Sequence, residues 1–185
     1  MRAITALGEH HRLGKVADSV QTPSDMLERY YADYRQLARQ VLSRDSARAY
    51  IQPTELAHEA AIRLFKLERM DLAGRTHFLS LSARVMRQVL IDEVRRFRAQ
   101  KRQLPPVLTQ WQSDPAPQHF DIEDFHEALG RLEAVDPERA KIGEQRFFAG
   151  LTLEEIAEIN GVSESTVKRS WRVARAWLIN ELASD

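Results

Sequence analysis

The stretch from Leu151 to Leu182, LTLEEIAEINGVSESTVKRSWRVARAWLINEL, constrains this chain more than any other. Thr152 suits a helix N-cap, and Glu155 three residues later completes a capping box. Leu153, Ile156 and Ala157 recur at helical spacing and give that helix one apolar side. Asn160-Gly161 ends it, since glycine tolerates the left-handed backbone that a sharp corner needs. Val162 follows as a small apolar plug, and Ser163 is a good cap for a second helix. Val167, Trp171, Ala174 and Leu178 line one face of that second helix. Lys168, Arg169, Arg172 and Arg175 fall on or beside the other, with no acidic residue from Ser165 to Asn180. The pattern predicts a helix-turn-helix whose second helix fits a DNA major groove, its first turn with Ser165 on base edges and its cations on phosphates. An ordinary helical hairpin with a solvated basic face is the plainer alternative.

The formal net charge of zero hides an asymmetry. Residues 1–102 carry a net +7 and residues 103–185 a net −7. Opposite-signed halves suggest separate modules with locally used basic patches. The absence of cysteine removes disulfides and thiolate metal sites and fits a reducing compartment. MRAITALGEHHR lacks the apolar core of a signal peptide, and no run approaches a membrane-spanning length. The expected location is the cytoplasm, away from any membrane. Glycine and proline are sparse and strand-like alternation is absent, so the expected fold is all-α.

Residues 1–23 form a poorly patterned N-terminal segment in which His10-His11 reads as a solvent-exposed pair. A helix then runs from a Ser24 cap through DMLERYYADYRQLARQVLSR. Leu27, Tyr30, Tyr31, Tyr34, Leu37, Ala38, Val41 and Leu42 form its apolar stripe, with the tyrosines as packing residues. After a polar link comes QPTELAHEAAIRLFKL. Pro53, Thr54 and Glu55 suit its first turn, and Leu56, Ala60, Leu64 and Leu67 share a face flanked by Ile62 and Phe65. Residues 68–76 read as a loop. From His77 a long helix turns Phe78, Leu81, Val85, Val89 and Val94 inward. Arg84, Arg87, Arg95, Arg96, Arg98, Lys101 and Arg102 outnumber Asp92 and Glu93 along it, and phosphate contact is a natural use for such a helix. Residues 103–120 hold four prolines and no positive charge, and read as a linker, partly extended and not a packed element. In residues 121–185, Phe125, Leu129 and Leu132 mark one helix and Ile142, Phe147 and Phe148 another, packing under the helix-turn-helix. No glycine-rich phosphate loop, nucleophile with a matching base, or metal-ligand cluster emerges, so neither catalysis nor a cofactor is expected.

Taken in order, these parts resemble the extracytoplasmic-function class of bacterial RNA polymerase sigma factors from about Leu27 to Leu182. GLTLEEIAEINGVSESTVKRSWRVARAWL is similar to the promoter-binding helix-turn-helix of that class. QPTELAHEAAIRLF resembles its polymerase-binding helix, and HFLSLSARVMRQVLIDEVRR the helix that handles the −10 element. The resemblance implies a dissociable initiation factor. Residues 24–102 would bind the clamp helices of the core polymerase and melt the −10 element, with a flipped base held partly by the 68–76 loop. The 103–120 linker would thread the polymerase, and residues 121–185 would dock on its flap and read the −35 element.

Gln52, Thr54, Glu55, His58 and Glu59 then fall on the polymerase-binding helix. Arg84, Arg87, Gln88, Arg95, Arg96 and Arg98 fall on the −10 helix, and Ser165, Lys168, Arg169, Arg172 and Arg175 on the −35 helix. Most of the class has acidic residues where this chain has Gln52-Pro53-Thr54, and many members have asparagine where it has Gln88. A phosphate on Thr54 would add about −1.5 to −2 charges in a first helical turn, restoring the missing charge. A serine/threonine protein kinase is therefore one expected regulator, and an anti-sigma factor is the other. Two further readings stand beside this one: a helix-turn-helix regulator that is not a polymerase subunit, and an all-α interaction module.

Overall fold

A computed structural model of the chain describes residues 22–43, 50–67, 72, 74–100, 108–111 and 118–183. The expectations for residues 1–21 with His10-His11, for Lys101 and Arg102, and for most of the 68–76 loop lie outside the described residues.

The first helical text divides in two, α1 (Pro23–Arg29) and α2 (Tyr31–Ser43). Thr22, not Ser24, is the cap. The Asp25 N–H donates to its hydroxyl at 3.2 Å, and its own N–H donates to Asp25 Oδ2 at 3.1 Å. Pro23 fits the first helical position because that N–H has no helical acceptor. Tyr30 leaves helical geometry between the two helices, with its ring 6.2 Å from that of Phe78. The tyrosines part company there. Tyr34 is fully buried and donates its hydroxyl to Ala57 O at 2.8 Å, whereas Tyr31 is exposed. Burial pushes the Tyr34 phenol well above its usual range.

α3 (Pro53–Phe65) buries Leu56, Ala57, Ala60 and Leu64 and leaves Ile62, Phe65 and the following Leu67 exposed. α4 (Gly74–Gln100) begins one turn earlier than His77. It buries Phe78, Leu79, Ala83, Met86, Val89, Leu90, Ile91 and Val94, with Leu81 and Val85 half-buried. α2, α3 and α4 pack on one another through these faces.

Two short stretches at and beside the 103–120 segment are paired strands. β1 (Leu108–Trp111) pairs antiparallel with β2 (Gln118–Asp121), Leu108 opposite Asp121 and Trp111 opposite Gln118. The hairpin turns the chain back so that Asp121 meets Arg98 near the end of α4 at 2.6 Å.

Asp121 caps α5 (Ile122–Val135), and Asp136 caps α6 (Pro137–Phe147). Phe125 stacks on Phe147 at 4.3 Å between centroids, and Phe148 meets both rings edge-on. α7 (Leu153–Asn160) and α8 (Glu164–Leu182) complete the fold, α8 lying across α5 and α6 through buried Val167, Ala174 and Leu178. The fold is all-α apart from the hairpin. Buried side chains form one continuous core through both halves, and α4 touches α5, α6 and α7. Among the described residues no helix is long and apolar enough to cross a membrane.

Candidate polymerase and nucleic-acid interfaces

The corner between α7 and α8 forms as its sequence dictates. Thr152 and Glu155 exchange both capping bonds, at 2.8 and 3.1 Å. Gly161 closes α7 at φ 63°, and its N–H donates to Glu158 O at 3.2 Å. The Ser163 hydroxyl then accepts the Thr166 N–H at 3.2 Å and opens α8. Val162 is exposed, so it does not plug the corner. Its N–H instead finishes the α7 terminus by donating to Ala157 O at 3.1 Å.

The buried side of α8 fixes what its other side presents. Ser165, Lys168, Arg169 and Arg172 are exposed, and Arg175 is half-buried. The four cations meet no carboxylate among the described residues. An unneutralised basic face at the start of a capped helix can take phosphates and base edges.

On α3, Gln52, Thr54, Glu55, His58 and Glu59 are all exposed and share the start of the helix. Glu55 Oε2 accepts the Gln52 N–H at 3.5 Å. Thr54 and His58 also line a cleft of about 420 Å³ with Tyr31, Arg35 and Phe65. Glu55 and Glu59 are the carboxylates of this set. Arg35, which the helical pattern did not single out, lines the same cleft as Thr54.

The −10 set is arranged differently. Gln88 donates to Asp92 Oδ1 at 3.1 Å, and Arg96 pairs with Glu93 of its own helix at 2.5 Å. Arg84 pairs with Glu133 at 3.0 Å, and Arg95 with Glu123 at 3.0 Å and Glu127 at 3.6 Å. Arg98 binds Asp121 and Glu123. Arg87 is the innermost, its side chain 7% exposed against Glu144 at 12%. It donates Nε and Nη2 to Glu144 Oε1 at 2.9 and 2.6 Å, and Nη1 to Nδ1 of His126. Its guanidinium also stacks 5.4 Å from the Phe148 centroid. Burial, then the Arg87 charge, holds the His126 pKa below its usual value, so the ring stays neutral and accepts.

Toward its start, α4 is tied to the C-terminal half as well. His77 Nε2 lies 3.1 Å from Ile159 O, and Arg75 is 2.9 Å from Asp33 and 3.8 Å from Glu155. The acids of α5 and α6 are thus the residues that sequence reasoning missed. The opposite charges of the two halves were the available signal, and they admit mutual pairing as readily as separation.

These features define an all-α chain with one uncompensated basic helix, one exposed amphipathic helix and a basic central helix held by acids. Compared with protein families, it matches the ECF sigma factor description over residues 10–184, and the chain belongs to that family. No curated protein and no solved structure gives a significant match. Membership assigns it a sigma-factor role in transcription initiation, in a family of non-catalytic transcription factors that interact with RNA polymerase and promoter DNA.

Proposed function

We propose that the chain binds core RNA polymerase through α3 and directs it to promoters whose −35 element is read by α8 and whose −10 element is handled by α4. Residues 24–102 and 121–185 act as the two working units, joined through 103–120. The observation that best supports this reading is α8, where Lys168, Arg169 and Arg172 are exposed, Arg175 is half-buried, and none of the four has a carboxylate partner among the described residues. Changing all four to Ala should abolish run-off transcription from a cognate promoter and leave helix content and core-polymerase binding intact. Unchanged promoter affinity would end the assignment. DNA binding without any core-polymerase binding would favour a regulator outside the polymerase, and neither activity an interaction module.

The α3 surface supports a control step at Thr54. Thr54 is exposed in the first helical turn, where the helix dipole favours an anion, and Arg35 lines the same cleft. A phosphate there outweighs the single Arg35 charge and adds to Glu55 and Glu59 on the polymerase-facing side. Core-polymerase affinity is to be compared for the unmodified chain, the Thr54 phosphoprotein and Thr54→Ala at two salt concentrations. Tighter, salt-sensitive binding by the phosphoprotein alone is expected, and full-strength binding by the unmodified chain would refute the switch.

A further inference from the structure

Of the seven large apolar side chains exposed among the described residues, four gather on α2, on α3 or just past its end: Tyr31, Ile62, Phe65 and Leu67. Tyr31 is 55% exposed and Phe65 50%, and both line the cleft of about 420 Å³ that also takes in Leu27, His58 and Ala61. On α3 this face reads His58, Ala61, Ile62 and Phe65, steps of three, four and seven residues along one side of a helix. We propose that residues 13–20 of the same chain, which lie outside the described residues, dock on that face and compete with the polymerase for it. The inference rests on the assignment of α3 to the polymerase made above.

Three observations select this occupant. The first is its pattern. Leu13, Val16, Ala17 and Val20 repeat the spacing of the α3 stripe step for step, the signature of an amphipathic stretch that lays its apolar side into a groove. The second is its place. Only Gln21 separates Val20 from Thr22, the cap of α1. Leu27, roughly 7.5 Å further along α1 at 1.5 Å per residue, already lines the cleft. A link of two residues is long enough to turn a chain back on the helix that follows it.

Charge is the third. Arg12 and Lys15 bring two cations to a helix start that exposes Glu55 and Glu59. Arg35, in the cleft itself, stacks 5.8 Å from the Tyr31 centroid and pairs with no carboxylate among the described residues, which leaves it open to Asp18. A short link sets an effective concentration in the millimolar range, so a contact too weak to hold a free peptide is still populated within the chain. Core polymerase must displace it, and that displacement lowers its apparent affinity for the free chain.

The chain has no cysteine, so Val16→Cys paired with His58→Cys or with Ile62→Cys tests the contact by mild oxidation of the full-length protein. Val16→Cys with Ala176→Cys, on the exposed side of α8, is the control. A disulfide should form with α3 and not with α8, because the bridge needs Cα atoms within about 7 Å. Leu13→Ser with Val20→Ser keeps the link to α1 and should remove that bridge. In the cysteine-free chain, Leu13→Ser, Val16→Ser and Val20→Ser together should tighten core-polymerase binding by about fivefold. No bridge to α3, or a bridge that survives the serines, overturns the docking. A bridge that the serines remove, with polymerase affinity unchanged, overturns the competition and places the fault in the assignment of α3 to the polymerase. Weaker polymerase binding by the serine variant also overturns it, and makes residues 13–20 part of the polymerase contact. If the serine variant loses helical signal, Arg12→Glu with Lys15→Glu gives the same two readouts, with a smaller change in the same direction.

Discussion

One substitution made at two glycines should have opposite effects, for a reason visible in the backbone alone. Gly161 sits at the α7–α8 corner with φ 63°, and an added Cβ there meets no atom within 4 Å. Gly130 lies exposed inside α5, and an added Cβ there also meets nothing within 4 Å. Steric crowding is therefore absent at both sites. At Gly161 an alanine must occupy the left-handed region, at a cost of about 1–2 kcal/mol. At Gly130 an alanine reduces the chain entropy lost on folding and should stabilise the helix by about 0.5–1 kcal/mol. For a chain of this size a kilocalorie shifts the melting temperature by about 2–4 °C. Gly161→Ala should thus melt about 2–8 °C lower and Gly130→Ala about 1–4 °C higher, read by circular dichroism in the same buffer. Gly161→Asn should lose less than Gly161→Ala, because asparagine visits that region more readily. Equal melting of all three proteins, or loss at Gly130, would refute the conformational argument.

Glu144→Ala leaves the Arg87 guanidinium buried with only His126 and the Phe148 ring, and should cost about 3 kcal/mol by chemical denaturation, against much less for Arg87→Met. Lowering the pH should loosen the contact of α4 with α5 and α6. His126 has a pKa below its unfolded value and faces Arg87, Arg95 and Asp92 of α4, Glu127 of its own helix, and Glu144 beyond Arg87. Its contribution is therefore complete above about pH 6.5 and is lost as the pH falls through the folded pKa. His126→Gln should flatten that part of the stability profile, and an unchanged profile would remove His126 as its cause. Thr152→Ala should cost about 1 kcal/mol through the lost cap of α7, seen as earlier amide exchange in Leu153 to Ile156.

The C-terminal half was legible because its signals are local. Thr152 with Glu155, Gly161 and Ser163 act within a turn of their own position, and each does in the fold what its type permits anywhere. The all-α class, and the burial of Val167, Ala174 and Leu178, follow from the same short-range periodicity. Misreadings arose where two local rules competed. Ser24 and Thr22 are both acceptable caps, and the reciprocal bond with Asp25 decides for Thr22. Tyr31 has the spacing of a core residue, but the stripe is wider than the contact and its edge stays exposed. The hairpin was hidden because proline content describes a stretch as a whole, whereas the pairing involves only Leu108–Trp111 and Gln118–Asp121.

What no local rule supplies is the partner of a charge. The cations of α4 and α8 look alike in sequence, yet among the described residues one set is paired across the molecule and the other is not. An exposed ion pair contributes on the order of 0.2–1 kcal/mol, too little to dictate a fold by itself. Arg84, Arg95 and Arg98 must then pair as they do because the apolar faces of α4, α5 and α6 have already brought the halves together. The ion pairs select among arrangements that the core permits.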